Sequence, residues 1–299
     1  MFDATLRDGA LRLRREGTRW LSTGYAGGES RGPAAYNVTV PDGWPETEDE
    51  GGDAEAIGGE GAVSSSDLDG DGPSRPLDLD GDGPSRPLDL DAYIRRRLAR
   101  AGFGEPGPTL LTGVEQRHAR RARLGSVEAV VTAGVSNPAT LPMSPGCGGP
   151  AAGAPGGRRR DDARSSTGDE GDDGGGDDVD RCPPTGTVNV VLGTTRALAP
   201  GALANLLTVV AEAKAATLLA RTGFTGTTSD AVVVGCDPDG EPAAFSGSAT
   251  DVGTAARACV RDALSASLDS RYADVPLPAS VADATYGVVT DERAAVSKL

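Results

Sequence analysis

Residues 186–195 read GTVNVVLGTT, residues 199–223 read APGALANLLTVVAEAKAATLLARTG, and residues 224–235 read FTGTTSDAVVVG. The apolar runs VNVVL and AVVVG in the first and third stretches each predict a buried strand. Between them, Pro200 and Gly201 begin a predicted helix and Gly223 ends it, because proline favours the first helical turn and glycine the residue after the last. The order strand, helix, strand predicts a β-α-β unit with polar loops at its ends.

The predicted helix carries two charged residues in unusual positions. At about 100° per residue its large apolar side chains form one stripe, and Lys214 lies in the middle of it. That stripe consists of Leu203, Leu206, Leu207, Val210 and Leu218. Glu212 lies on the other side with Asn205 and Thr208, among alanines that predict a helix enclosed on most sides. Because a buried unpaired charge is costly and residues two apart on a helix cannot pair, Glu212 and Lys214 should each find a partner elsewhere or serve in an active site.

The rest of the chain alternates between segments with the apolar periodicity of strands and segments with that of helices. Strands are predicted within 6–23, 35–40, 107–112, 127–134 and 287–290, and helices at 88–101 and from 252 onward. Residues 25–32 are predicted to form a glycine-rich turn, and residues 115–124 an exposed basic segment. The pattern predicts an α/β fold, with α+β as the alternative, in a single domain that has a mixed β-sheet and packed helices.

Two low-complexity stretches, 45–88 and 140–184, interrupt this domain. Both contain too few large apolar residues to form a core and are predicted to be disordered. The first contains the unit DLDGDGPSRPL twice in succession. The unit begins like a calcium-binding loop, but its prolines and the lack of helices on both sides favour a tandem duplication in an acidic linker. The core domain is thereby divided into residues 1–44, 89–139 and 185–299, and the last of these carries most of the motifs.

The charge of the chain is concentrated in these insertions. Acidic residues outnumber basic ones by 44 to 29, a net charge of −15. Residues 45–91 hold 15 acidic and 2 basic residues, and residues 158–184 hold 9 and 5. Only Lys214 and Lys298 are lysines, and arginine usage beside acidic insertions is typical of a salt-adapted cytoplasm. Because no basic stripe is present, nucleic acid is not expected as a partner.

Neither a targeting segment nor a metal motif is recognisable. The chain has no signal-peptide core and no run of 18 apolar residues, so we expect a soluble, cytoplasmic protein without a membrane partner. The four cysteines are widely spaced, with no C-x-x-C pair and no histidine nearby. We therefore expect no metal site, no cofactor and no structural disulfide.

No standard catalytic signature is present, and the single histidine, His118, lies in the basic segment. What remains is a set of small polar and charged residues near predicted strand ends and on the predicted helix. The set comprises Thr132, Ser136, Asn137, Asn189, Glu212, Lys214, residues 225–230 and residues 246–251. Carboxylates serve as general bases, a lysine or an amide stabilises an oxyanion, and hydroxyls bind or attack. Taken alone, Asn137 before Pro138 is equally a turn former, and Asp230 is equally a loop cap.

Five motifs in this order resemble the adenosylcobinamide amidohydrolase (CbiZ) family. They are AGVSN at 133–137, GTVNVV at 186–191, TxxxEAKxAxL at 208–218, FTGTTSDxVVV at 224–234 and SGxxTxxG at 246–253. The similarity extends to LSTGYAGG, YNVTV and LLTGV in the first half of the chain. The acidic insertions indicate a haloarchaeal-type member.

The resemblance implies an enzyme of corrinoid salvage. Such an enzyme hydrolyses the amide that joins the aminopropanol arm to the corrin ring of adenosylcobinamide, giving adenosylcobyric acid and 1-amino-2-propanol for coenzyme B12 synthesis. Its partner is a corrinoid small molecule. Carried over residue by residue, the motifs point to Glu212, Lys214 and Asp230 as the catalytic residues. We expect Glu212 or Asp230 to act as the base, and Lys214, with an asparagine amide or a hydroxyl, to hold the oxyanion. The motifs imply substrate binding by Asn137, Asn189, Thr225, Gly226, Thr227, Gly247 and Thr250.

One position departs from the family pattern, since Ala249 stands where family members usually have a histidine. This difference keeps open a corrinoid-binding protein without hydrolytic activity. The acidic stretches keep open an unrelated interaction protein. Release of aminopropanol from adenosylcobinamide would distinguish the enzyme from both.

Overall fold

The computed structural model of the protein describes residues 1–40, 89–143, 186–284 and 287–298. The strands are β1 (Asp3–Arg7), β2 (Ala10–Arg14), β3 (Arg19–Ser22), β4 (Gly28–Arg31), β5 (Ala34–Thr39), β6 (Thr109–Thr112), β7 (Arg120–Leu124), β8 (Val127–Ala133), β9 (Pro138–Thr140), β10 (Val188–Leu198), β11 (Gly226–Thr227), β12 (Ala231–Ala243) and β13 (Val288–Val289). The helices are α1 (Leu90–Arg100), α2 (Pro200–Thr222) and α3 (Asp251–Arg271), with 3-10 turns at Gln116–His118 and Val281–Asp283.

The predicted β-α-β unit is confirmed as β10, α2 and β12. The two strands pair in parallel, with Asn189 opposite Ala231, so α2 crosses from the end of one to the start of the next. Pro200 occupies the first turn of α2, and Gly223 follows its last residue in the left-handed conformation at φ 80°. Glycine adopts this conformation without the steric cost that other residues incur.

The strands form three sheets, where one mixed sheet was expected. The largest has the order β4-β3-β12-β10-β8-β7, the second has the order β1-β2-β5-β6, and a small third has the order β11-β9-β13. The first two are mixed, because β10 pairs in parallel with β12 and β5 in parallel with β6 while their other pairs are antiparallel. The α/β class and the mixed pairing are thus confirmed. The division into sheets depends on pairing between distant strands, which local periodicity does not predict.

Strand alternation places the core on both faces of the large sheet. On β10, Val190 and Leu192 pack against α2 and α3, whereas Val191 packs against the second sheet, together with Trp20 and Phe2. Side chains alternate between the two faces of a strand, so one strand can serve two hydrophobic layers. On the far side of the second sheet, α1 covers a further apolar cluster. The order of layers is therefore helix, sheet, sheet, helix pair.

By length and composition alone, α2 is apolar enough to cross a membrane. In the fold it is a core helix, because Leu206, Val210 and Leu218 are buried against the large sheet and α3. A helix that packs on two neighbours needs a wide apolar surface. The described part of the chain has the organisation of a soluble domain.

One local prediction was wrong, because residues 25–32, expected to form a turn, contain the edge strand β4. The basic segment at 115–124, predicted to be exposed, contains the exposed edge strand β7, for which no strand was predicted. Both strands are exposed and polar, so neither shows the apolar alternation from which strands are recognised. The predicted insertions lie outside the described residues apart from 140–143, and Thr140 belongs to β9. Both copies of the acidic repeat also lie outside them.

Candidate active site

Polar motif residues converge where β8 ends and where β10 and β12 begin. We call this group, formed by Asn137, Thr187, Lys214, Thr227, Thr228, Ser229 and Asp230, the strand-end cluster. Because β8 is antiparallel to β10, Ala133 at its end lies opposite Val188. Because β12 is parallel to β10, its first residue, Ala231, lies opposite Asn189. The loops AGVSN, GTVNVV and FTGTTSD therefore meet at one edge of the sheet.

Asp230 is the centre of this cluster. Its Oδ1 accepts from the backbone N–H of Val188 at 2.9 Å and from the hydroxyl of Thr227. Its Oδ2 accepts from the backbone N–H of Thr227 at 3.0 Å and from the ammonium of Lys214. A carboxylate offers about four acceptor sites, so all of them are occupied. The carboxylate of Asp230 thereby links β10, the loop before β12 and α2.

Lys214 reaches Asp230 from the flank of α2. Its side chain is 12% exposed and that of Asp230 is 10% exposed, so the ion pair is largely shielded from water. Gly226 allows this approach, because a Cβ at Gly226 would lie 2.9 Å from Asp230 Oδ2 and 3.4 Å from Lys214 Nζ. The predicted position of Lys214 on the apolar stripe is confirmed, and Asp230 is its partner.

Asn137 closes the other side of the cluster. Its Nδ2 donates to Thr228 Oγ1 at 2.6 Å, and the N–H of Thr228 donates to the Asn137 carbonyl at 3.2 Å. Its Oδ1 is buried and has no hydrogen-bond partner among the described residues. A Cβ at Gly186 would lie only 2.7 Å from this oxygen. The loops before β9 and β10 are therefore in direct contact.

Glu212 is not part of this cluster. Two positions along an α-helix rotate a side chain by about 200°, so Glu212 and Lys214 point to different flanks of α2. Glu212 is 57% exposed and pairs with Arg257 on α3, which also donates to Ser248 Oγ at 3.3 Å. The expectation that α2 is enclosed on most sides is wrong at this flank, because neither the sheet nor α3 covers it.

Asn189 lies in a separate buried network between the two large sheets. Its Nδ2 donates to Asn37 Oδ1 at 2.9 Å and to the Leu111 carbonyl at 3.0 Å, and Asn37 in turn donates to Thr132 Oγ1 at 2.9 Å. The same strand alternation that turns Val191 toward the second sheet turns Asn189 there too. Sequence reasoning missed Asn37. An amide inside the apolar strand pattern AYNVTV was the available signal.

The SGxxTxxG motif lies at the opposite end of α2. Ser246 donates to the Ala202 carbonyl at 2.6 Å, near the start of that helix, whereas the loop that carries Thr227 and Asp230 follows its last turn. Thr250 caps α3: its Oγ1 accepts from Gly253 N at 3.1 Å and donates to the Gly247 carbonyl at 2.8 Å. A Cβ at Gly253 would lie 2.0 Å from that carbonyl oxygen. Gly247 and Thr250 are thus not brought to the cluster, and Thr225 is exposed in the loop beside it.

A groove of about 550 Å³ lies between α2 and α3. Its floor contains Ala213, Ala216, Ala220 and Ala258, its rim contains Arg221, Arg257 and Arg261, and hydroxyls of Thr217, Ser248, Thr254 and Ser265 complete the lining. We call this feature the α2–α3 groove. Each of its arginines has one acidic partner: Asp269, Glu212 and Asp262, respectively.

His118 lies beside the end of α3, and Ser267 of that helix connects its carbonyl to the N–H of Ala133 at the end of β8. Arg117 Nε donates to its Nε2 at 3.2 Å, so the ring proton is on Nδ1, which lies 3.0 Å from Ser270 Oγ. Burial, followed by the charges of Arg117 and Arg271, lowers the pKa of His118. The described residues contain no group of three or more His, Cys, Asp or Glu side chains that could hold a metal ion.

Comparison with known proteins agrees with the motif order. The profile described as adenosylcobinamide amidohydrolase matches residues 4–276. The chain is 46% identical over 299 residues to the adenosylcobinamide amidohydrolase of Halobacterium salinarum, and the alignment covers 99% of each chain. No solved structure matches. The family match extends over the strand-end cluster, the buried amide network and α3. The chain belongs to the adenosylcobinamide amidohydrolase family.

Proposed function

We propose that this protein hydrolyses adenosylcobinamide at the amide that joins the aminopropanol arm to the corrin ring. The products are adenosylcobyric acid and 1-amino-2-propanol. Membership of the family and the name of the Halobacterium relative, adenosylcobinamide amidohydrolase, support an amidohydrolase with this substrate. Neither comparison supports a corrinoid-binding protein without hydrolytic activity.

The observation that carries the catalytic assignment is the contact of Lys214, Asp230 and Thr227 in one largely buried site. Two of the family motifs supply these residues, and a third, GTVNVV, supplies the backbone N–H of Val188 that completes the carboxylate. A shielded ion pair beside the loops at the strand ends is suited to polarising an amide. We assign the catalytic centre to the strand-end cluster.

In this proposal Lys214 stabilises the negative charge that forms on the amide oxygen during attack. An ammonium in a shielded site stabilises such charge more than it would in water. Asp230 fixes the position of the ammonium. The attacking water gives a proton to the Thr227 hydroxyl, which gives its own proton to Asp230. The Thr227 hydroxyl already donates a hydrogen bond to Oδ1 of this carboxylate. Lys214 then gives a proton to the departing amine.

The remaining motif residues receive different roles. We assign Asn137, within the cluster, and Gly226, beside it, to substrate binding together with the exposed Thr225. Asn189, Gly247 and Thr250 act through the buried network and the cap of α3 described above. Glu212, away from Lys214, holds Arg257 rather than a water molecule. Ala249, in the place of the family histidine, is exposed in the loop before α3, outside the cluster.

The direct test is incubation of the full chain with adenosylcobinamide and detection of both products by mass spectrometry. Wild-type protein is expected to release 1-amino-2-propanol in equal amount to adenosylcobyric acid. The Lys214→Met variant is expected to release neither. Wild-type protein that binds the corrinoid and releases no aminopropanol would contradict the proposal and leave a binding protein.

We also propose that the protein works in the cytoplasm on this small molecule, without a nucleic-acid or membrane partner. The net charge of −15 and the packing of α2 as a core helix support this assignment. Cell fractionation of the native host, with activity in the soluble fraction, would test it.

A further inference from the structure

The α2–α3 groove exposes more apolar surface than a core helix normally leaves uncovered. Only 44% of the most apolar 18-residue stretch of α2 is buried. Ala216 and Ala220 are exposed within the groove, and Leu219 beside them is 53% exposed. These side chains leave part of α2 free to pack against a ligand.

The floor of the groove is shaped for a flat ligand. Its apolar residues are alanines on both helices, so no large side chain fills the space between α2 and α3. Ligand sites of several hundred Å³ with a predominantly apolar lining and a few polar groups are the ordinary size for small molecules. A broad, shallow apolar floor favours contact with one face of a ring system.

The rim specifies the polar chemistry of the ligand. Arg221, Arg257 and Arg261 each pair with a single acidic side chain, so the rim is electrically neutral. A guanidinium has five N–H donors, more than one carboxylate accepts. The rim therefore offers hydrogen-bond donors without net positive charge, which favours carbonyl oxygens over phosphates or other anions.

The groove lies beside the flank of α2 that carries Lys214. Ser248 lies at its one end, near the start of α3, and Arg221 lies at its other end, in the last turn of α2. Lys214 lies two turns before Arg221 on α2, about 10 Å along the helix axis. It directly follows Ala213 and lies about one turn before Thr217, two residues that line the groove. A ligand in the groove is therefore close to the flank of α2 that carries Lys214.

We propose that the α2–α3 groove binds the corrin macrocycle of the substrate, with alanines against the ring and rim arginines donating to its peripheral carboxamide oxygens. This inference rests on the proposed function, which supplies a flat ring fringed with neutral amides. The aminopropanol arm then extends from the groove across the flank of α2 to Lys214. Glu212 keeps Arg257 neutralised and oriented at the rim.

The test substitutes tryptophan for alanines that line the groove. Ala216→Trp and Ala220→Trp fill the floor, and Ala204→Trp is the matched control, since Ala204 is exposed on α2 outside the groove. Binding of adenosylcobinamide is measured by equilibrium dialysis with corrin absorbance as the readout. The two groove variants should bind at least about tenfold more weakly, and the control should bind within about twofold of wild type. The KM of the groove variants should rise by the same factor, with kcat nearly unchanged.

A second variant does not depend on how the indole packs. Arg261→Gln changes a side chain that is 65% exposed, so the domain should fold normally, and binding should weaken about threefold as a donor is lost. Groove variants that are folded by circular dichroism and bind like wild type would overturn the proposal. So would a wild-type dimer that the tryptophan variants split, with corrinoid binding unchanged, because the groove would then be a contact between copies.

The outcomes separate this inference from the proposed function. If wild-type protein binds the corrinoid and the groove variants do not, but no aminopropanol is released, the groove assignment holds and the hydrolase assignment fails. If wild-type protein releases aminopropanol and the groove variants have the same KM as wild type, the hydrolase assignment holds and the groove assignment fails. Wild-type protein that neither binds nor hydrolyses the corrinoid overturns both.

Discussion

The ammonium of Lys214 on α2 lies against the carboxylate of Asp230 at the start of β12, with 12% and 10% of the two side chains exposed. A shielded ion pair stabilises a fold only when further hydrogen bonds complete it. Asp230 receives three more, from Val188 and from the N–H and hydroxyl of Thr227. The pair is therefore fixed in position before any substrate arrives, which its proposed catalytic role requires.

Asp230→Asn should abolish turnover and destabilise the protein. The amide introduces an N–H donor where four donors converge and leaves the Lys214 charge unpaired, which costs about 3 kcal/mol for a shielded pair. Urea unfolding measures the stability and aminopropanol release the activity. Asp269→Asn removes the carboxylate of the more exposed Arg221 pair and serves as the control, with an expected change of less than about 1 kcal/mol. Full turnover in Asp230→Asn would remove Asp230 from the mechanism.

Thr227→Val should lower kcat at least about a hundredfold, and Thr227→Ser should keep most of it. The hydroxyl passes a proton to Asp230 in the proposed mechanism, and valine has the same shape without it. Steady-state kinetics at saturating substrate separate this loss from weaker binding. Equal kcat values in the valine and serine variants would show that the hydroxyl only shapes the loop.

Glu212→Gln should retain kcat within about threefold of wild type. Glu212 is 57% exposed and its partner is Arg257, so the change removes an exposed ion pair that contributes less than about 1 kcal/mol. The informative quantity is the split between kcat and KM, since only KM should respond to a change at the groove rim. A loss of kcat comparable to that of Asp230→Asn would make Glu212 the base instead.

Thr250→Ala should destabilise the protein by about 1 kcal/mol through loss of a helix cap. The Thr250 hydroxyl satisfies Gly253 N and holds the Gly247 carbonyl, at the end of the fold away from the strand-end cluster. Turnover at a temperature where the variant is folded should match wild type. Thr250→Ser, which keeps the cap, is the control. A specific loss of kcat with unchanged stability would place Thr250 in the chemistry.

Acidification should destabilise the wild type more than a His118→Gln variant. The pKa of His118 is lowered by burial, then by Arg117 and Arg271, so the unfolded chain binds a proton more readily than the folded one. Stability is therefore lost as pH falls from about 6.5, the pKa of an unperturbed histidine, through the lowered value in the fold. Urea midpoints at pH 7.5 and pH 5 give the comparison. Identical losses in the two proteins would contradict the prediction.

Much of the central unit was predictable from local sequence. Pro200 and Gly223 mark the ends of α2, and the apolar runs before and after it became β10 and β12. Burial of Lys214 followed from helical periodicity, which is a short-range property. The edge strands β4 and β7 were not predictable in this way, because their pairing depends on distant partners and not on their own apolar pattern.

The sequence by itself determined the β-α-β unit, the apolar stripe of α2 with Lys214 in it, and the set of motif residues, since these depend on spacing and residue type. Only the tertiary structure decided which motifs meet. Strand order brought Asp230 to Lys214, strand alternation turned Asn189 between the sheets, and helix rotation directed Glu212 to Arg257. Pairing across the sheet and packing between helices are long-range contacts, and no local pattern in the chain encodes them.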